Sequence, residues 1–571
     1  MLLTYKHPHL SLDVEHKLNK RLSGRLLGCC CCAHSDGLQC HGDGRRRLME
    51  ECAGRSASQL RLCVKELDSG RVLNALSSLC DLIHEDEFPC SLSALISEEF
   101  PQNMFSLLKS DDKSLSTAAF STMIKFIEIP QICPLFITPE YCQYLINAIN
   151  EQIFAGHNFS MKNENNYDSW RNGNEQPEFD DTVSRDLIYV IKKFLESGFD
   201  MDISENLILG LDIANDETYS PSLVLGPNLE AETESENVNS DIDNSSDASN
   251  EEDASNSDIC YFFLHNNIIE ILSHVIKHTH DSSLVDLCFD TLEALCCHFL
   301  RVDDASKIFK IISACRPIPR AALLNKILRI FLRMFAAQTL ADPIVFSKFE
   351  DSGFLELTQG ALGGRTDDAS TLHACLVAAR VYENFPECEY QFHIRRLLEL
   401  TCNDDFESPG SEKVATAAAQ ALASQLQANP PLALNILKTP KTYQSLLTAA
   451  VKRSILAKIA LTDIFAFIAK YTNLKAFPAL LSEFDVGDIK MNIFAFAADI
   501  SPVSPQATKK ALKLLLAIFD RAAGLGKQKL CQVKFMRAFE ENFFIDSEVF
   551  ADDETASEFS LLKEHLSCGV L

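Results

Sequence analysis

Apolar and polar positions along this chain recur in one phrase: a helix-breaking junction, a leucine-rich helix, a short polar turn, and a second helix with small residues along one side. It reads FPQNMFSLLKSDDKSLSTAAFSTMIKFI from Phe100, NNIIEILSHVIKHTHDSSLVDLCFDTLEALCCHF from Asn266, and GFLELTQGALGGRTDDASTLHACLVAARVYENF from Gly353. Spacings of three and four among the apolar residues, as in Leu60, Val64 and Leu67 or Val72, Leu76 and Leu79, predict helices with one buried face. Two helices broken near Gly70 are expected first, then one around Leu92–Phe100, one at Phe105–Leu108 and a longer one from Ser114 to Ile129, stopped by Pro130 and Pro134. Small-residue helices are expected near Ser283, Asn325, Thr371, Lys413 and Arg453, in steps of 42, 46, 42 and 40 residues. A period in this range marks a stack of units that cannot bury their apolar faces alone. No strand-like alternation stands out between 259 and 543.

Two polar intervals interrupt the pattern. A helix from Thr138 and its partner from Ser184 are separated by a loop over 156–183 that holds Trp170, the single tryptophan. Between Lys193 and Lys277 there is no Lys or Arg, and 19 acidic residues fall there, so much of the net charge of −28 is local. The sequence ETESENVNSDIDNSSDASNEEDASNSD in that interval lacks the apolar surface needed to offset the entropy of ordering. The expected organisation is a basic, Cys-rich leader at 1–55, a helical block at 56–199, an acidic disordered linker at 200–258, a second helical block at 259–543 and a tail at 544–571. Met49 offers an alternative start, under which the first 48 residues would not be translated.

The repeating units resemble armadillo or HEAT-type repeats. The resemblance rests on Leu107-Leu108, then Asp111-Asp112, then Ala118-Ala119; on Ile271-Leu272, Asp281 and Cys288; on Leu355-Leu357, Asp367-Asp368 and Ala374; and more loosely on Leu446-Leu447 and Ala460. It spans about 57–199 and 259–543, and implies an all-α fold, a right-handed alpha-solenoid of armadillo/HEAT-like repeats, with an extended surface for protein partners. The chain departs from importin-alpha-like members, whose grooves repeat Trp and Asn, and from the strongly basic grooves of beta-catenin-like members. Its basic groups are modest: Arg329 and Arg333, Arg395 and Arg396, Lys452 and Arg453. Arg329, Arg333, Arg395 and Arg396 are candidates for partner binding, set against a merely solvated helix face.

Candidate chemistry is sparse. Cys29, Cys30, Cys31 and Cys32, with His34, Cys40 and His41, contain soft ligands, but the short spacer suits a zinc site poorly. Acylation of these cysteines beside basic residues would tether the chain to a membrane surface. His274 and His278 lie four apart with His280 beyond, as weak metal candidates, although histidines in a last helical turn are also favoured by the helix dipole. Thr233, Ser240, Ser249 and Ser255 each precede an acid by three residues, a context for acid-directed phosphorylation. GALGGR at 360–365 and AGLGKQK at 523–529 read as helix C-caps with left-handed glycine rather than phosphate loops.

The remaining signals exclude function classes. The acidic balance argues against nucleic-acid binding, which needs clustered Lys and Arg. No long uncharged apolar run predicts a transmembrane segment, and no secretory apolar run opens the sequence, so an intracellular protein, cytoplasmic or nuclear, is expected. The 21 cysteines, Cys288, Cys296 and Cys375 among them, read as reduced core residues. No catalytic motif or cofactor is called for. The expectation is a non-enzymatic protein-binding scaffold or adaptor; the alternatives are a nucleocytoplasmic transport-type receptor, or a peripheral membrane adaptor held through Cys29–Cys32.

Overall fold

The computed structural model describes residues 57–62, 69–83, 99–129, 132–154, 181–197, 259–315, 321–363, 366–403, 409–486, 489–501, 503–539 and 553–567. The leader, most of the 156–183 loop and the acidic segment lie outside them, and with them Cys29–Cys32, Thr233, Ser240, Ser249 and Ser255. The chain divides into two compact units, Met1–Tyr141 and Cys142–Leu571.

In the first unit, α1 (Ser69–Ile83) and α2 (Phe100–Leu108) both pack on α3 (Lys113–Ile127). Asp112 caps α3 by accepting from the Ser114 amide at 2.9 Å, so the acidic turn foreseen between the paired helices supplies the orphan first-turn donors. The Phe100 ring meets that of Phe126 at a tilt, 4.8 Å between centroids, and that of Phe136 edge-on at 5.9 Å. The helix expected over Phe105–Leu108 begins earlier, at Phe100, because Glu99 turns the chain through a left-handed conformation (φ 53°) and Pro101 sits in the first turn, where its missing amide costs nothing. A further helix, α4, runs from Pro139 to Phe154.

The second unit takes in α4 from Cys142 on and continues through α5 (Asp181–Glu196), α6 (Ile259–His265), α7 (Ile268–His278), α8 (Ser282–Leu295), α9 (Val302–Cys315) and α10 (Ala321–Ala336). Then come α11 (Pro343–Asp351), α12 (Phe354–Leu362), α13 (Asp368–Asn384), α14 (Ile394–Thr401), α15 (Pro409–Ala428), α16 (Pro431–Lys438), α17 (Pro440–Lys452) and α18 (Ile455–Tyr471). After the short α19 (Phe477–Leu480) the unit closes with α20 (Ile493–Ile500), α21 (Pro505–Gly524), α22 (Gln528–Phe539) and α23 (Asp553–Ser567).

Two rows emerge from the packing. The long helices α5, α8, α10, α13, α15, α18 and α21 each lie on the next, and shorter helices make the second row, with α7 on α9, α9 on α11, α14 on α17, α17 on α20 and α20 on α22. The core between rows is aromatic where four helices meet: Phe309, Phe331, Phe349 and Phe354 contact one another at centroid distances from 4.9 to 6.0 Å. Between α13 and α15 it is built of alanines instead, Ala374, Ala378, Ala415, Ala418 and Ala419 being fully or almost fully buried, which allows the two backbones to approach closely. Asp281 and Asp367 cap α8 and α13 as Asp112 caps α3. At two short-helix junctions a left-handed residue makes the corner: Asn267 (φ 60°) between α6 and α7, Gly353 (φ 68°) between α11 and α12.

Three expectations change. The acidic segment was placed between two helical blocks, but α5, which precedes it, packs on α8, which follows it, so the segment interrupts one unit. A strand pair occurs after all: β1 (Phe484–Val486) and β2 (Ile489–Met491) form an antiparallel hairpin pairing Phe484 with Met491 and Val486 with Ile489. Three residues a side are too few for alternation to show against the helical pattern. The segment after 543 contains α23, which packs on α21 with Leu562 completely buried. Of the two glycine caps, Gly526 is left-handed (φ 66°), and Gly363 is the C-cap of α12, with Gly364 beyond it outside the described residues.

Candidate functional site

The most ordered polar surface is built across the long-helix row. On α8, Asp286, Asp290 and Glu293 follow one another at i, i+4 and i+7, and on α10 Lys326, Arg329 and Arg333 do so at i, i+3 and i+7. Helical periodicity sets each trio along one face, and packing of α8 on α10 brings the two faces together. Lys326 donates to the carboxylate of Asp290 and to the Asp286 carbonyl at 3.0 Å. Arg329 reaches Oε1 of Glu293 at 2.8 and 3.0 Å through Nη2 and Nε, and Arg333 Nε reaches the same oxygen at 3.4 Å.

The ladder extends in both directions. Lys192 of α5 comes within 3.8 Å of Asp290, and Arg185 pairs with Asp281, the capping residue of α8, whose carboxyl is held below the usual range chiefly by its hydrogen bonds with Ser283. On the other side, His373 of α13 donates through Nδ1 to Asn325 Oδ1 at 2.6 Å. Burial, then the neighbouring Arg329 and Arg333 charges, push the His373 pKa down to about 4, so the ring is neutral near pH 7 and can be an Nδ1–H donor. Further along, Arg453 bridges Glu412 of α15 at 2.7 Å and the Asn403 carbonyl at 2.6 Å, and Lys510 of α21 holds Asp463 of α18 at 2.7 and 2.8 Å.

Apart from the contacts of Arg185 and Lys192, whose partners lie beyond the acidic segment, these bonds join residues 36 to 50 positions apart, which is one repeat. Equivalent helices thus meet equivalent helices along the row. The second unit is an α-solenoid of stacked helices.

The candidate arginines of the solenoid occupy different environments. Arg333 is 2% exposed and engaged with Glu293, so its guanidinium lies in the core rather than on a partner-facing strip; Arg329 is one-third exposed. Arg395 and Arg396 are on α14, in the short-helix row, away from that ladder: Arg395 is almost wholly exposed and pairs with Glu399 at 3.1 Å, whereas Arg396 donates to the Leu362 carbonyl at 2.8 Å. Arg453 is buried by its bonds to Glu412 and Asn403.

At the end of α7, the His274 and His278 rings stack at 4.0 Å, and His278 Nδ1 donates to the His274 carbonyl at 2.8 Å. Burial first, then His278 and Lys277, lower the His274 pKa to about 4. His280 sits exposed in the following turn, and among the described residues no three His, Cys, Asp or Glu are grouped to hold a metal. Cys288, Cys296 and Cys375 are completely buried, and burial raises their thiol pKa values, that of Cys375 to about 12, which leaves them unreactive. Sequence reasoning passed over Glu293, Asp290, Lys326, Asn325 and Glu412. Their signal was present: a charge or amide faces its complement one repeat away, on helices already identified as equivalent.

No protein-family model matches the sequence, and no curated protein matches it significantly. Solved structures that resemble it include SYS-1 in complex with POP-1, at 10% identity and a TM-score of 0.41, covering 90% of this chain and 93% of that one. UNC-45 from Drosophila melanogaster resembles it at 11% identity and a TM-score of 0.37, over 90% of this chain and 68% of that one. Kap121p does so at 12% identity and a TM-score of 0.30, over 98% of this chain but only 57% of its own, so the chain spans little more than half of Kap121p. Among the described residues no single helix is long and apolar enough to cross a membrane; α6 and α7 together have the length, but bend by 63° between them.

Proposed function

We propose that the protein is a non-enzymatic scaffold that binds other proteins on its long-helix row. The observation that carries this reading is the ladder from Arg185 to Lys510, in which half-exposed charges on successive helices are fixed by partners at the neighbouring helix of the row. Charges held in this way need little further ordering when a complementary segment arrives, and ordering is a principal cost of association. Stacked repeats also lengthen the surface without new chemistry, which suits an extended partner segment.

The test is co-purification from cells with mass spectrometry, comparing the full chain with a Lys192→Ala/Lys326→Ala variant. Both lysines keep part of their surface in water, so the variant retains its helical circular dichroism. Loss of specific partners from the folded variant is the expected result. An unchanged set of partners would remove the ladder from consideration as the binding face.

A further inference from the structure

The helix α22 is folded in place by one side and leaves the other unused. Cys531, Phe535 and Phe539 are buried, with Phe535 against Phe494 and Phe519 at 6.3 and 5.7 Å between ring centroids. On the opposite side Leu530, Val533 and Met536 are 44%, 62% and 56% exposed. At roughly 100° per residue, the order around the outer face is Met536, Lys529, Val533, Arg537 and Leu530, all within about 120° of arc. Three bulky apolar side chains therefore alternate with two exposed cations.

The charge of this patch differs from that of the molecule. The chain carries −28 overall, yet α22 contains Lys529, Lys534 and Arg537 and no acid, with Lys527 exposed just before it. Glu483 at the foot of the hairpin is occupied: Lys534 donates to it at 3.2 Å, and Arg537 and Lys490 also act on it, holding its carboxyl below the ordinary range. Lys490 faces Asp485 across the two strands. Among the described residues, positive charge is left over at Lys527, Lys529 and Arg537 beside the apolar stripe.

The geometry points to the outer face of α22 as a docking site for an acidic amphipathic segment of another protein, its apolar side chains seated on Leu530, Val533 and Met536 and its carboxylates on Lys529 and Arg537. Apolar contact supplies affinity, and the cations select against basic or neutral segments. An anionic membrane would meet the same cations, but the −28 charge of the whole chain opposes approach to such a surface, and the stripe is only three side chains long. The site is independent of the long-helix ladder, so its failure would leave that reading standing.

The experiment is selection of random displayed peptides on the full chain, with counter-selection on two variants, Leu530→Ser/Val533→Ser/Met536→Ser and Lys529→Glu/Arg537→Glu. All five positions are exposed, so both variants should melt close to the parent. The expected binders combine Asp or Glu with apolar residues at helical spacing, and bind each variant at least about tenfold more weakly. Failure to enrich peptides, enrichment of non-acidic ones, or equal binding to either folded variant would overturn the proposal. So would sedimentation with phosphatidylserine vesicles that depends on the same residues.

Discussion

Glu293 is the position where the ladder is most sensitive. Its carboxylate is buried, accepts three bonds from Arg329 and Arg333, and compensates a guanidinium that is 2% exposed. Glu293→Leu deletes that compensation and leaves the Arg333 charge in the core without its carboxylate. Breaking a buried pair in this way costs about 3–5 kcal/mol, whereas replacing both members with apolar residues of similar volume is close to neutral. Arg329→Met should cost under about 1 kcal/mol, because that side chain retains a third of its surface. The assay is urea denaturation followed by far-UV circular dichroism, with hydrogen exchange locating the loss to α8 and α10, since a repeat array need not unfold in one step. Glu293→Leu/Arg333→Met should recover most of the stability lost in Glu293→Leu. If the single variant unfolds within about 1 kcal/mol of the parent, or the double variant is no more stable than the single, the reasoning fails.

Three other outcomes are expected. His373, whose folded pKa of about 4 lies below the ordinary 6.5, contributes stability that is complete above pH 6.5 and is lost as pH falls toward 4; about 3 kcal/mol is at stake, and His373→Gln should flatten the urea midpoint over that window. Leu562→Ala removes a fully buried anchor of α23 and should cost about 2–5 kcal/mol locally, seen as earlier proteolytic cleavage between 553 and 567 while the rest of the chain stays intact. Gly353→Ala places a β-carbon on a left-handed corner (φ 68°) and should lower stability by about 1–2 kcal/mol, measured by thermal melting; an unchanged melt would mean that the corner can rearrange.

Much of this architecture was legible because a repeating fold writes the same instruction several times. The Asp residues of the polar turns proved to be N-caps, and the small residues at Ala374 and Ala415 proved to lie where α13 meets α15. The hairpin was not legible, since three-residue strands carry too little pattern, and α23 was hidden because its burial depends mainly on single residues such as Leu562. The division of the chain was misread for a physical reason: a long acidic insertion breaks the sequence pattern, yet nothing prevents α5 and α8 on either side of it from stacking as neighbours. Arg329 and Arg333 were recognised as a pair, but whether a surface arginine is available or committed depends on Glu293, one repeat earlier and on another helix.

Photo-crosslinking in cells tests the scaffold reading most directly. Benzoylphenylalanine placed at 192 or 286, on the long-helix ladder, should form adducts with discrete proteins, while the same group at 310 or 395, on helices of the short row, should not. Equal labelling from both rows, or no adducts at 192 and 286 in a folded protein, would contradict a binding face on the long helices.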